Sequence, residues 1–298
     1  MYENIEFVIC AAGECTRNYP HSKAVAHKTL LPMGDKRIID YVLQEILQIG
    51  GRHITFVCSN QAAVEAFQKA LKTNEPIVQK LRTKKLDLIA DVVEETFLPP
   101  DTDLKFVIQE EPLGTAHVLY VARDAIQDRH VVLIFPDDIW MSADPEMPHI
   151  KRLVDAFLQN PKTALITSMW SDNASEHAIL VNNRIIEKQK DAKPQMTGWD
   201  PNVLPNEVIQ FLIQQAPQKM AQARETKKEW YYMDAINDFL DQGGENDGFK
   251  VDFFPMSEHD EMLDTGNLWM YEQSQLKMLL TRSKNKEQNQ QLAKQLLE

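Results

Sequence analysis

Five short apolar runs rich in β-branched residues recur along the first part of the chain: EFVICAA (6–12), HITFVCS (53–59), LKFVIQE (104–110), HVVLIFPDD (130–138) and TALITSMW (163–170). Each is almost continuously apolar, the pattern of strands buried on both faces of a parallel sheet. Between them the period changes to the helical one. In RIIDYVLQEILQIGG, residues Ile38, Ile39, Val42, Leu43, Ile46, Leu47 and Ile49 line one face, and two glycines close the end. QAAVEAFQKALK, TAHVLYVARDAI and HIKRLVDAFLQN repeat the pattern. Strand–helix alternation of this kind predicts a doubly wound α/β sheet, mixed but mostly parallel and Rossmann-like, with right-handed crossovers.

The pattern changes after residue 175. HAILVNNRIIEKQK places Asn182 and Asn183 between two apolar runs, which predicts a tight β-hairpin. DAKPQMTGWDPN (191–202) has no clear period and is expected to loop over the surface. Two helices (about 205–222 and 230–241), a strand FKVDFFPM and a helix from about 267 follow, and the polar end is expected to be a solvated tail or a helix that meets a partner subunit. The expected division is one domain over 1–282, with 1–140 binding nucleotide and 141–282 binding sugar phosphate, then a polar tail over 283–298.

Composition narrows the function classes. With 298 residues, 43% hydrophobic and 26% charged, the chain is an ordinary folded protein. No apolar run approaches the roughly 20 residues of a membrane span. The net charge of −12 argues against nucleic-acid or anionic-membrane binding, which needs a basic surface. A small anionic ligand remains compatible, because a site can be locally basic or recruit a cation. Cys10, Cys15 and Cys58 have no C-x-x-C spacing and fit reduced thiols. The acidic start, MYENIEF, lacks the pattern of a cleaved signal segment, so a cytoplasmic location is expected.

The chemistry concentrates where the first strand ends. FVICAAGECTRNYPHSKAVAHKTLLP runs from a strand into a loop with one glycine, Gly13, and then offers Arg17, Lys23 and Lys28. Loops of this type hold nucleotide phosphates. Further along stand QEEPLGTAHVL, FPDD, IIEK, EWYYMDAINDFL and LDTGN. In this order the segments resemble those of the bacterial sugar-1-phosphate nucleotidyltransferases, most closely the UTP–glucose-1-phosphate uridylyltransferases, over nearly the whole length.

The resemblance implies transfer of a nucleotidyl group: a sugar-phosphate oxygen attacks the α-phosphorus of UTP in line, pyrophosphate leaves, and UDP-glucose forms with Mg²⁺ as cofactor. Such a reaction needs positioning and charge neutralisation rather than a protein nucleophile. It implies nucleotide contacts from Ala11, Ala12, Gly13, Glu14, Thr16 and Arg17, base recognition by Gln109 and Gly114, and phosphate contacts from the catalytic cations Arg17, Lys28 and Lys188. Asp137 and Asp264 would share the metal. Asp138, Ala178, Glu187, Lys188 and Glu229 would meet the sugar phosphate. UTP and glucose 1-phosphate are the expected partners, in a homo-oligomer (dimer or tetramer).

Plainer readings stand beside these. Arg17 and Lys28 are also ordinary surface cations, Asp137 or Asp138 a helix N-cap, Glu187–Lys188 an exposed hairpin pair, and Glu229 and Asp234 helix-capping carboxylates. Neighbouring strand residues point to opposite faces, so Glu187 and Lys188 reach one ligand only if the strand ends or bends there. His117 is expected on the packed side of its helix. Departures from the family pattern also matter. Cys15 replaces the usual second loop glycine and either crowds a triphosphate or resists a positive φ. One extra residue separates Arg17 from Lys28, and Ala178 stands where a glycine is common. A thymidylyltransferase, another sugar-1-phosphate nucleotidyltransferase, and a catalytically weakened sugar-nucleotide-binding regulator are the alternatives.

Overall fold

A computed structural model describes residues 2–297; Met1 and Glu298, which end the two expected segments, lie outside the described residues. The first half contains β1 (Ile5–Ala11), the short β2 (Pro32–Met33) and β3 (Lys36–Arg37), α1 (Ile38–Gln48), β4 (His53–Cys58), α2 (Gln61–Ala70), α3 (Glu75–Thr83), α4 (Asp87–Glu94), β5 (Asp103–Ile108), α5 (Thr115–Val121), α6 (Arg123–Ile126) and β6 (His130–Ile134). The second contains β7 (Asp138–Met141), α7 (His149–Gln159), β8 (Thr163–Ser171), β9 (Ala178–Val181), β10 (Arg184–Glu187), β11 (Gln195–Leu204), α8 (Asn206–Thr226), α9 (Tyr232–Phe239), β12 (Lys250–Pro255), β13 (Glu261–Asp264), α10 (Leu268–Thr281) and α11 (Lys286–Leu297).

The main sheet runs β5-β4-β1-β6-β11-β8-β12, with the β9–β10 hairpin attached to β11 where Gly198 faces Ala178. It is mixed but mostly parallel: β11 is antiparallel to both β6 and β8, while β12 is parallel to β8. Within the strands, side chains alternate between two cores. Val8 of β1 packs with Val57, Leu133 and the residues of α5, α8 and α9. Phe7, Ile9 and Ala11 pack on the other face with Ile54, Phe56 and the residues of α1, α2 and α7. A strand wanted apolar on both sides therefore reads as a continuous apolar run, and helices on both faces exclude water from it. Fully buried Phe7, Phe56, Phe67 and Phe157 each contribute about 1.5–3 kcal/mol of burial.

Three expectations are corrected. Residues 195–204 form β11, a central strand, rather than a surface loop. Gly198, a bulge running to Asn202 and Pro201 break the strand pattern, yet Gly198 is what the packing requires: a Cβ there would lie 3.1 Å from Ile166 Cγ2. The run 130–138 is divided, because β6 stops at Ile134 and Asp138 opens β7, which pairs with β13. No helix begins at Asp137 or Asp138, so the N-cap reading of either residue falls. The polar end forms α11, which buries no side chain, while Ser283 Oγ and the Lys284 N–H donate to the Asp35 carboxylate at 2.8 and 2.6 Å.

Candidate active site

The site is built at the carboxyl ends of parallel strands, where an open α/β sheet forms its ligand crevice. The loop after β1 supplies Ala12, Gly13, Glu14, Cys15, Thr16 and Arg17. The turn after β6 supplies Asp137, and Gln109 follows β5. With Lys28, Gly114, Glu229 and Gly266 they surround a cleft of about 360 Å³.

Cys15 adopts φ 57° and ψ 24°, the left-handed conformation a glycine would take without penalty. Its side chain does not point at the cleft alone. Sγ donates to the Gly13 carbonyl at 3.3 Å and accepts from the Lys28 N–H at 3.4 Å, while Ser22 Oγ donates to the Cys15 carbonyl at 2.8 Å. The thiol thus ties the strained loop to the segment bearing Lys28. Burial pushes its pKa up, and the Lys28 N–H and ammonium only partly offset this. Since the thiolate is the nucleophile, Cys15 is expected to react with iodoacetamide several-fold more slowly at pH 7.5 than a free thiol of pKa about 8.5. Mass spectrometry of labelling against time checks this, and labelling as fast as free cysteine would contradict it.

Lys28 opens a short 3₁₀ turn, Lys28–Leu30, and is only 8% exposed. Its ammonium bonds Asp137 Oδ2 at 2.5 Å. Burial opposes ionisation of Asp137, but the Lys28 charge and hydrogen bond hold its carboxyl below the usual value. Asp264 ends β13, and its Oδ1 accepts from the Gly266 N–H at 2.5 Å. Gly266 marks where the charged groups converge. A Cβ added there would lie 2.8 Å from Asp264 Oδ1, 3.7 Å from Asp137 Oδ2 and 3.8 Å from Arg17 Nη2. Two carboxylates and a guanidinium thus meet around one bare backbone position. Arg17 and Lys188 make no ion pair or side-chain hydrogen bond among the described residues, which leaves both cations available to an anion.

Gln109 is buried, and its amide nitrogen lies 3.3 Å from the Gly114 carbonyl and 3.1 Å from His117 Nδ1. The Gly114 carbonyl takes one amide hydrogen. Nδ1 of His117 donates to the Glu111 carbonyl and so cannot accept the other, which leaves that hydrogen and Oε1 for a base edge. His117 is buried against the same segment, 2.9 Å from the Glu111 carbonyl, as expected of a packing residue. Gly114 has φ 107°, and a Cβ there would lie 2.4 Å from the Trp230 carbonyl oxygen. The turn is seated by the Trp230 N–H on Leu113 O at 2.8 Å and the Ala116 N–H on Trp230 O at 3.0 Å.

A second cleft of about 250 Å³ adjoins the first, sharing Thr115 and Phe135 with it. Glu187, Trp199, Asp200, Asn202, Tyr231 and Tyr232 line it. Glu187 Oε2 is buried there without a hydrogen-bond partner. Burial raises the Glu187 pKa, and Asp234 adds to this against the pull of Lys188. The strand ends at Glu187 and Lys188 turns to φ 50°, the bend that lets adjacent residues face one region. Asp234 caps α9 by accepting from the Tyr231 N–H at 3.2 Å.

Five of the expected site residues line neither cleft. Asp264 stands beside the first only through Gly266, and Lys188 is exposed past the end of β10. Ala11 is fully buried in the core beneath α1 and α2. Ala178 packs in the opposite core. Asp138 lines a separate small cavity with Trp140 and Glu45, its carboxyl against that of Asp200, which itself lines the second cleft. Burial and the neighbouring Asp200 and Asp137 carboxylates push Asp138 well above the usual range. Burial, with Asp137 adding to it, pushes Asp200 up to about 7 against the pull of its hydrogen bond with Asp138. Glu229 lies beside the first cleft rather than the second. Sequence reasoning missed Asn18, Thr265, Gly266 and the aromatic lining of the second cleft. Thr265 and Gly266 stand within LDTGN, but Asn18 carries no periodic or motif signal of its own.

A family profile described as nucleotidyl transferase matches residues 6–193. The chain belongs to the nucleotidyl transferase family. It is 27% identical over 190 residues to a UTP–glucose-1-phosphate uridylyltransferase of Escherichia coli K12, covering 62% of each chain. It is 32% identical over 159 residues to the protein named UTP–glucose-1-phosphate uridylyltransferase 2 of Staphylococcus saprophyticus, covering 53% of this chain and 52% of that one. The matched part thus spans less than two thirds of these relatives' length. Among solved structures, the fold matches a UDP-glucose pyrophosphorylase of Acinetobacter baumannii with a TM-score of 0.79 at 21% identity, over 98% of this chain and 99% of that one. A UTP-bound form from the same organism matches with a TM-score of 0.76 at 20% identity, over 97% and 98%. The nucleotidyltransferase fold expected from the sequence is therefore the fold of this chain. No helix among the described residues is long and apolar enough to cross a membrane.

Proposed function

We propose that this family member makes UDP-glucose and pyrophosphate from UTP and glucose 1-phosphate. The observation that carries the reading is the pair of adjoining clefts, one with Arg17, Lys28, Asp137 and Asp264 converging near Gly266, the other with an unpartnered Glu187 oxygen among aromatic walls. Kinship with uridylyltransferases supports the choice of nucleotide and sugar.

In this reading the first half of the chain holds UTP and the second holds the sugar phosphate. The N–H groups of the Gly13–Arg17 loop and the Arg17 guanidinium grip the β- and γ-phosphates. Gln109 Oε1 accepts from the uracil N3–H, and Gly114 lets backbone approach the ring. Glu187 accepts from hexose hydroxyls, and Lys188 holds the sugar phosphate. A phosphate oxygen of glucose 1-phosphate forms a new bond to the α-phosphorus as the bond to the β-phosphate oxygen breaks. Arg17 and Lys28 stabilise the charge that grows on the departing pyrophosphate. Asp137 and Asp264 are hard oxygen donors near one point, a donor set that suits Mg²⁺ completed by phosphate oxygens and waters. When bound, Mg²⁺ supplies charge neutralisation on the triphosphate. A cytoplasmic homo-oligomer is the proposed form.

Glu187→Ala is expected to raise KM for glucose 1-phosphate about 10- to 100-fold, the equivalent of a charged hydrogen bond of about 1.5–3 kcal/mol. KM for UTP should stay within about twofold. Steady-state kinetics with each substrate varied checks this; a change confined to UTP would put Glu187 on the nucleotide side. A nucleotide panel tests the substrate class. UTP should give the highest kcat/KM with glucose 1-phosphate, and a lead for dTTP would favour a thymidylyltransferase. The strained Cys15 supports one other reading, a sugar-nucleotide-binding regulator with little turnover.

A further inference from the structure

We infer that Asn18 is a positioning residue that locks the Arg17 turn to the Asp264 loop and offers its free carbonyl oxygen to a water on the bound cation. The inference rests on the proposed metal reading of Asp137 and Asp264. Asn18 closes the 3₁₀ turn Thr16–Asn18 that carries Arg17, and only 1% of its surface is exposed. Its Nδ2 donates to the Thr265 carbonyl at 3.0 Å, across 247 residues of chain. Thr265 in turn donates from its N–H and its Oγ1 to the Asp137 carbonyl at 2.8 and 2.7 Å. The next residue, Gly266, donates its N–H to Asp264 Oδ1. One buried amide therefore couples the three segments that carry Arg17, Asp137 and Asp264.

The other end of that amide has no partner: Asn18 Oδ1 is buried without a hydrogen bond, and Asn18 lines the cleft beside Arg17, Asp137 and Gly266. Orphaned buried acceptors are costly, so such an atom is matched by a donor that binds. Mg²⁺ held by one or two carboxylates keeps several waters, whose O–H groups are strong donors. A side chain that orients such waters tunes cation affinity without touching the ion, and its loss typically costs 10- to 100-fold.

The test is the affinity of UTP, measured by calorimetry without glucose 1-phosphate, in Mg²⁺ and again in EDTA. The unsubstituted protein should bind UTP at least about 10-fold more tightly with Mg²⁺. Asn18→Leu, close in size, should reduce that gain to about threefold or less. Because it also loses the tie to Thr265, binding in EDTA should weaken as well, but by a smaller factor than in Mg²⁺. Asn18→Asp keeps an acceptor but loses the donor to the Thr265 carbonyl, so it should bind UTP more weakly in both media while retaining the Mg²⁺-dependent gain. It decides the matter alone if the leucine variant fails to fold. An unchanged gain in Asn18→Leu, or a gain lost in Asn18→Asp, overturns the inference. An equal loss in Mg²⁺ and EDTA also overturns it, since that is the signature of a merely structural tie. No Mg²⁺-dependent gain in the unsubstituted protein would overturn the metal reading itself, and this inference with it.

Discussion

Asp137→Ala is expected to lower turnover by at least about 1,000-fold, the scale of losing a main electrostatic contributor to phosphoryl-group transfer. It should also destabilise the fold, because the nearly buried Lys28 ammonium then loses the carboxylate it contacts at 2.5 Å. Removing one partner of a buried pair costs about 3–5 kcal/mol, or a fall in Tm of about 5–8 °C for a chain of this size. Asp264→Ala should match it in turnover but not in Tm, since Asp264 takes part in no ion pair among the described residues. Adding Lys28→Met to Asp137→Ala removes the stranded charge, so Tm should recover while activity does not. Calorimetry and kinetics on the four proteins separate the two effects. Turnover near the unsubstituted level in either aspartate variant would remove that residue from the proposed metal site.

Gly114→Ala is expected to be the most damaging change that touches no charge. The residue has φ 107°, where a side chain is strained, and the added Cβ would lie 2.4 Å from the Trp230 carbonyl oxygen and 2.6 Å from its nitrogen. Those are backbone atoms that hold the turn through hydrogen bonds to Leu113 and Ala116, so they cannot move aside without breaking them. Strain and lost hydrogen bonds together should cost more than about 3 kcal/mol. UTP affinity should fall with it, because Gln109 reaches the same turn. Thermal unfolding and UTP titration check both effects. A variant with unchanged Tm and affinity would mean that the turn is not seated on Trp230.

The parallel half of the fold was legible because β1, β4 and β6 are buried on both faces and show it as nearly unbroken apolar runs. β5, the half-buried edge strand, still carries the β-branched and aromatic residues of a strand. Arg17, Lys28 and Asp137 were legible because they follow such strands within recognisable segments. β11 was hidden by its own necessities: Gly198 makes room for Ile166, and the bulge between Gly198 and Asn202 breaks the alternation that marks a strand. Cys15 could be recognised as a departure, but not its consequence, since the thiol's partners on Gly13 and Lys28 depend on how the loop folds back. Asp138 was expected at the sugar phosphate beside Asp137 at the metal; once Asp138 opens β7 against β13, Asp137 lines the first cleft and Asp138 lines a separate small cavity. Asn18 was silent because its partner, Thr265, is distant in sequence. Local pattern reports burial and period, and contacts that long leave no mark on either.

Pyrophosphate release by the purified protein on mixing with UTP, glucose 1-phosphate and Mg²⁺ tests the central claim most directly. The account predicts release that requires both substrates, stops in EDTA, and accompanies equimolar UDP-glucose. Tight UTP or UDP-glucose binding with no pyrophosphate release above the no-enzyme control would contradict it and leave Cys15 in a loop that binds without catalysing.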